Sequence, residues 1–225
     1  MCYEEKERII NEIEERVESG KTEKEDLERL VKMCKNQDSY IRGCVAALLV
    51  NFEEDGEDTL LKMTTDKASI VRAEAYDSLY FSKSEYTYNY LKKSIKSEKN
   101  GLVRGYIITS LTDIALRMSK EEETSLLFKS LLKEKQTEFV QINLFSALYQ
   151  LGCEKYLRNL MKMLNARIYQ NRCATVNSFF EVVHQKNYRM ILQALDKRKK
   201  IEKSRAVLGA INDCEEYIQN EFVEG

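Results

Sequence analysis

The chain has 225 residues, no Pro, no Trp and only 8 Gly, whereas average usage would supply roughly 11 prolines. Charged residues make up 32% and hydrophobic ones 43%, so a core can be filled and global disorder is excluded. Lys and Arg (36) balance Asp and Glu (37) to a net charge of -1, which leaves no global field to draw in nucleic acid or a membrane. Few turn formers and many Glu, Lys, Leu, Arg and Ala predict an all-α fold.

The first residues, MCYEEKERII, contain no apolar stretch of signal-peptide type. A helix is predicted over 3–18, with Ile9, Ile10, Ile13 and Val17 on one side. Beyond Gly20, placed as a helix C-cap, six helical hairpins follow. Their first helices are predicted near 22–35, 56–65, 84–97, 120–134, 153–165 and 185–198. Their second helices are predicted near 39–51, 68–82, 101–118, 137–150, 167–183 and 201–221. Thr22 with Glu25 and Ser119 with Glu122 have capping-box spacing, and Gly152 sits at a helix end. Tyr86 to Tyr90 alternates like a strand for five residues, but Tyr88, Leu91 and Ile95 continue at helical spacing, so helix is expected.

The second helices share a pattern: an aliphatic residue, then Arg, then small or apolar residues. Copies start at Ile41, Val71 and Val103, with weaker ones at Val140, Tyr169 and Ser204. The steps of 30, 32, 37, 29 and 35 residues each fit one two-helix unit. The fourth position after each start forms a core column: Val45, Ala75, Ile107, Leu144, Cys173 and Leu208. One hairpin cannot bury its apolar face alone, so stacking into a curved solenoid behind a capping helix is expected.

This pattern resembles the HEAT repeats of the short bacterial type. The resemblance covers 22–221 and is most specific over 36–111. The family places an acidic or amide residue six positions before the Arg, and here Asn36 precedes Arg42, Asp66 precedes Arg72 and Glu98 precedes Arg104. The resemblance implies a right-handed α-solenoid of about six hairpins forming one domain over 1–225. It also implies that these side chains make a ladder between neighbouring repeats. Later copies depart, with Gln141 and Gln170 in place of Arg and Lys135, Leu164 and Lys199 at the acidic position. The usual role of the family is binding, as a scaffold or adaptor.

No catalytic or metal-binding constellation is legible, so a non-catalytic protein without cofactor or metal is expected. His184 is the single His, and no zinc spacing, EF-hand loop or phosphate-binding glycine motif occurs. The alkylpurine DNA glycosylases resemble this architecture, but their cleft depends on Trp. Six cysteines without C-x-x-C spacing read as reduced core thiols in a cytoplasmic protein. The longest apolar run, Cys44 to Val50, has seven residues, far below the ~20 of a spanning helix.

Two binding surfaces are predicted. If the second helices line a concave face, Tyr76, Tyr80, Ile108, Phe145 and Tyr149 offer aromatic and apolar anchors for a protein or peptide; the same offsets could instead pack between repeats. The second surface is basic. Residues 151–205 hold 13 Lys and Arg against 4 Asp and Glu, centred on Lys197, Arg198, Lys199 and Lys200. Such a segment could contact nucleic acid or an acidic partner. A protein partner on the concave face is the main expectation, and nucleic acid the alternative.

Overall fold

The computed structural model describes residues 3–223, and Cys2 lies outside them. Among the described residues the chain is helical, with no strand and no helix long and apolar enough to cross a membrane. Its contacts divide into two compact units, 1–120 and 121–225.

The first unit contains α1 (Tyr3–Glu18), α2 (Lys24–Met33), α3 (Ser39–Leu49), α4 (Glu53–Met63), α5 (Ser69–Asp77), α6 (Glu85–Ser97) and α7 (Gly101–Met118). The second helices stack in order, α3 on α5 and α5 on α7, while α2, α4 and α6 pack beside them. Ile9, Ile10 and Ile13 of α1 are buried, and α1 covers α3. Tyr86 to Tyr90 lies wholly in α6, where Tyr88, Leu91 and Ile95 are fully buried.

The second unit contains α8 (Glu121–Leu131), α9 (Glu138–Gln150), α10 (Tyr156–Lys162), α11 (Tyr169–Val182), α12 (Tyr188–Lys199) and α13 (Arg205–Phe222). Here α11 packs on both α9 and α13. Its core joins Leu157, Leu160 and Leu164 to Phe179, Ile191, Leu195 and Ile211.

Helix ends depart from the predictions where other groups take the terminal polar atoms. Helix α5 stops at Asp77, five residues early, because the Ser110 hydroxyl of α7 donates to the Tyr76 and Asp77 carbonyls. At the start of α2 the N-cap is Glu23, not Thr22, and its backbone N–H donates to the Asp26 carboxylate. Ser119 does not begin α8; it closes α7 in the left-handed conformation at φ 57°. Gly20 and Gly152 take φ +65° and +83° after α1 and α9, as placed.

Gly56 lets α4 approach the end of α3. A Cβ there would stand 2.5 Å from the Leu49 carbonyl oxygen. Gly56→Ala should therefore cost about 1–3 kcal/mol by overpacking, despite the helix propensity Ala adds. Urea denaturation reads this directly; an unchanged midpoint would mean the backbone gives way freely.

Candidate functional site

One arrangement recurs and sets the frame for everything on the surface. Arg42 lies four residues after Asp38, the N-cap of α3. Its Nη1 donates to the Asn36 and Gln37 carbonyls at 2.7 and 3.0 Å. Its Nε and Nη2 donate to the Asp66 carboxylate, one hairpin on, at 2.6 and 2.8 Å. Arg72 repeats this with the Asp66 and Lys67 carbonyls and the Glu98 carboxylate. Arg104 holds the matching place in α7, four residues after its N-cap Asn100. A guanidinium suits the task because its planar fork serves a carboxylate and two carbonyls together.

The acidic partner also has two roles. Asp66 and Glu98 each accept the N–H of the N-cap two residues ahead, Ala68 or Asn100. Asn36 does the same for Asp38. The Arg42 hydrogen bonds hold the Asp66 carboxyl below its ordinary range. Burial works to raise the Glu98 carboxyl, but Arg72 and the Asn100 N–H outweigh it and the net shift is downward.

The sequence reading missed a third rung. Arg172 of α11 donates through Nη1 to the Ala166 and Arg167 carbonyls, and through Nε and Nη2 to Glu202 at 2.7 and 2.9 Å. Glu202 accepts the N-cap N–H of Ser204 and also Arg198. The fifth copy therefore starts at Asn171, not Tyr169, and the sixth at Val207, not Ser204. Thr175 and Ile211 stand in the core column, fully buried, where Cys173 and Leu208 were expected and are only half-buried. A signal was available: Asp66-Lys67-Ala68, Glu98-Lys99-Asn100 and Glu202-Lys203-Ser204 share an acid, a Lys and an N-cap.

These carboxylates fix the sign of the pH response. Asp66, Glu98 and Glu202 titrate lower in the folded chain than as free side chains. Their stabilisation is thus complete above the unfolded values, about 4, and disappears as pH falls through the folded values. Burial raises Glu74 and Asp77 instead, so protonating those two on mild acidification opposes the loss. The melting temperature should stay nearly level down to about pH 5 and fall steeply below about pH 4. A steady decline from neutrality would contradict this.

The predicted aromatic row does not form one accessible surface. Tyr76 and Ile108 are buried, and burial pushes the Tyr76 hydroxyl up to about 12. Ala46, at the same offset, is buried too, so this column packs between helices. Tyr80 is exposed. In the second unit Phe145 and Tyr149 are half-buried; Phe145 stacks on Tyr156, and the Tyr149 hydroxyl bonds His184 and Asn187. The side of α3, α5 and α7 left open carries Cys44, Glu74, Asp77 and Tyr106, all half-buried.

The basic run is largely satisfied within the fold. Arg198 pairs with Glu202, Lys199 with Glu215 and Lys200 with Asp196. Lys197 makes no ion pair among the described residues. It lines a groove of about 440 Å³ between α10 and α12, together with Arg158, Met161, Lys162, Leu164 and Met190. Gln193, Ala194 and Ile201 extend it along α12 and just beyond. Its apolar side chains are solvent-facing at the ends, Met190 at 37% and Ile201 at 63% exposure.

The described cysteines, Cys34, Cys44, Cys153, Cys173 and Cys214, are free thiols, and Cys214 is the buried one. No family model matches the chain, and no curated protein matches it in sequence.

Proposed function

We propose that this chain is a HEAT-type repeat scaffold that binds a protein partner and performs no chemistry itself. The observation that carries the reading is the recurring guanidinium rung at Arg42, Arg72 and Arg172. In each, one Arg joins the loop before its own helix to the acidic residue of the next hairpin. Repetition of one interhelical device is what stacked repeats need, because each unit is stabilised by its neighbours. In this reading the hairpins form a right-handed solenoid, and a preformed surface lowers the ordering cost of binding. Neutralisation of Arg198, Lys199 and Lys200 within the fold favours a protein partner over nucleic acid.

The test is capture of the tagged full chain from its own cells, with and without nuclease, followed by reconstitution from purified components. A stoichiometric protein that rebinds after nuclease and at elevated salt is the expected result. Recovery of nucleic acid, with loss of all protein on nuclease treatment, would overturn the reading, since phosphate contacts weaken steeply with salt.

A further inference from the structure

We propose that the groove between α10 and α12 docks an acidic amphipathic helix of a partner protein. The inference rests on the scaffold reading and names the chemistry of the partner.

The floor of the groove is aliphatic: Met161, Leu164, Met190, Ala194 and Ile201. Two of these are methionines, whose flexible thioethers adapt to differing aliphatic anchors. Along the second wall, residues 190, 194 and 197 recur at i, i+4 and i+7, which is one face of α12, and Ile201 follows just past its end. The helical part of that stripe covers seven steps of about 1.5 Å, or roughly two turns, matching the seven residues of α10 on the other wall. A groove walled by helices over about two turns fits a third helix, whose i, i+3, i+4 and i+7 side chains would enter it.

The rim supplies the charge argument. Arg158 and Lys162 on one wall and Lys197 on the other line the groove, and none makes an ion pair among the described residues. No carboxylate lines the groove. Arg198 also lines the groove but is paired with Glu202, and Lys199 and Lys200 beside it are paired as well. Charge left uncompensated beside an exposed apolar floor calls for carboxylates flanking aliphatic anchors. Single-stranded nucleic acid would call for aromatic rings on which bases stack, and none lines the groove.

Fluorescence anisotropy with the full chain tests this. The probe is a labelled designed helix of about five turns, with Leu at i, i+3, i+4 and i+7 and Glu on both flanks. Three comparison probes replace the Glu residues by Gln, the Leu residues by Ser, or the peptide by a single-stranded oligonucleotide. Saturable binding that needs both Leu and Glu is expected. Lys162→Glu and Lys197→Glu, both at exposed positions, should each weaken it about tenfold, with weaker salt dependence. Ile201→Ser should weaken it comparably, and Lys200→Glu, outside the groove, should leave it unchanged. Circular dichroism confirms that each variant is folded.

No binding of the Leu/Glu helix, equal binding of the Gln or Ser probe, or an equal effect of Lys200→Glu would overturn the proposal. Tighter binding of the oligonucleotide would overturn it in favour of nucleic acid. If a stoichiometric protein partner still rebinds while the groove variants leave it unaffected, this inference fails and the scaffold reading stands.

Discussion

Arg42→Ala should destabilise the 1–120 unit by about 3–5 kcal/mol, the usual cost of removing one partner from a buried ion pair. The Arg42 side chain is 4% exposed and that of Asp66 13%. Truncation leaves the Asp66 carboxylate without its cation and strips donors from the Asn36 and Gln37 carbonyls. It also removes the tie between the loop before α3 and the loop before α5. Arg42→Lys should recover only part of the loss, because an ammonium cannot serve the carboxylate and both carbonyls in the same plane. Asp66→Asn should be milder than Arg42→Ala, since an amide oxygen can still accept the Ala68 N–H. Urea denaturation followed by circular dichroism orders the three. If Arg42→Lys matched the parent, the fork geometry would carry no weight.

Glu202→Ala is the counterpart in the 121–225 unit, and its effect should be at least as large, about 3–5 kcal/mol. One carboxylate there joins three helices: Arg172 comes from α11, Arg198 from α12, and the N–H groups of Lys203 and Ser204 lead into α13. Its side chain is 1% exposed. The Arg172 hydrogen bond is the main reason its carboxyl is held far below the ordinary range. Removal sets two guanidinium groups side by side without an anion. Glu202→Gln keeps an acceptor for the N–H groups and should lose less. A double-mutant cycle with Arg172→Ala measures the coupling, which should exceed about 1 kcal/mol for residues in one network. The α12 end also carries Lys197, so Glu202→Ala should loosen the groove wall along with the core.

The rungs show how close to legible the second half of the chain was. The repeat pattern has an Arg after an aliphatic residue and an acidic or amide residue six positions earlier. It holds at Arg72 and Arg104 because the acid of one rung, Asp66 or Glu98, also stands six positions before the next Arg, whereas Arg42 has the amide Asn36 there. At Arg172 the residue six positions earlier is Ala166, which supplies only its backbone carbonyl. The anion comes from Glu202 instead. The apolar pattern alone therefore places the fifth copy two residues early and the sixth three residues early. The acid-Lys-cap tripeptide Glu202-Lys203-Ser204 sets the sixth copy correctly, since an N-cap marks the start of a helix more sharply than a diffuse apolar column does; the fifth copy has Ala166-Arg167-Ile168 there and carries no such mark.

The aromatic row failed as a surface for a different reason. On a helix, one position is a rotation of 100°, so the fifth residue after the start can face either solvent or the next helix. Apolar and aromatic residues suit both. Tyr76 and Ile108 are turned inward, and Ala73 and Ala75 beside Tyr76 are buried with them. Phe145 and Tyr149 kept partial exposure where ring stacking and the His184 bond hold them.

The approximate positions of the thirteen α-helices among the described residues followed from sequence alone, because apolar periodicity and the lack of Pro act over a few residues at a time. Which side chains remain available to a partner did not. Lys197 and Lys200 belong to one basic run, yet one borders a groove and the other is paired to Asp196. Exposure and charge compensation depend on which residues the packed helices bring together, and only the tertiary structure decides that.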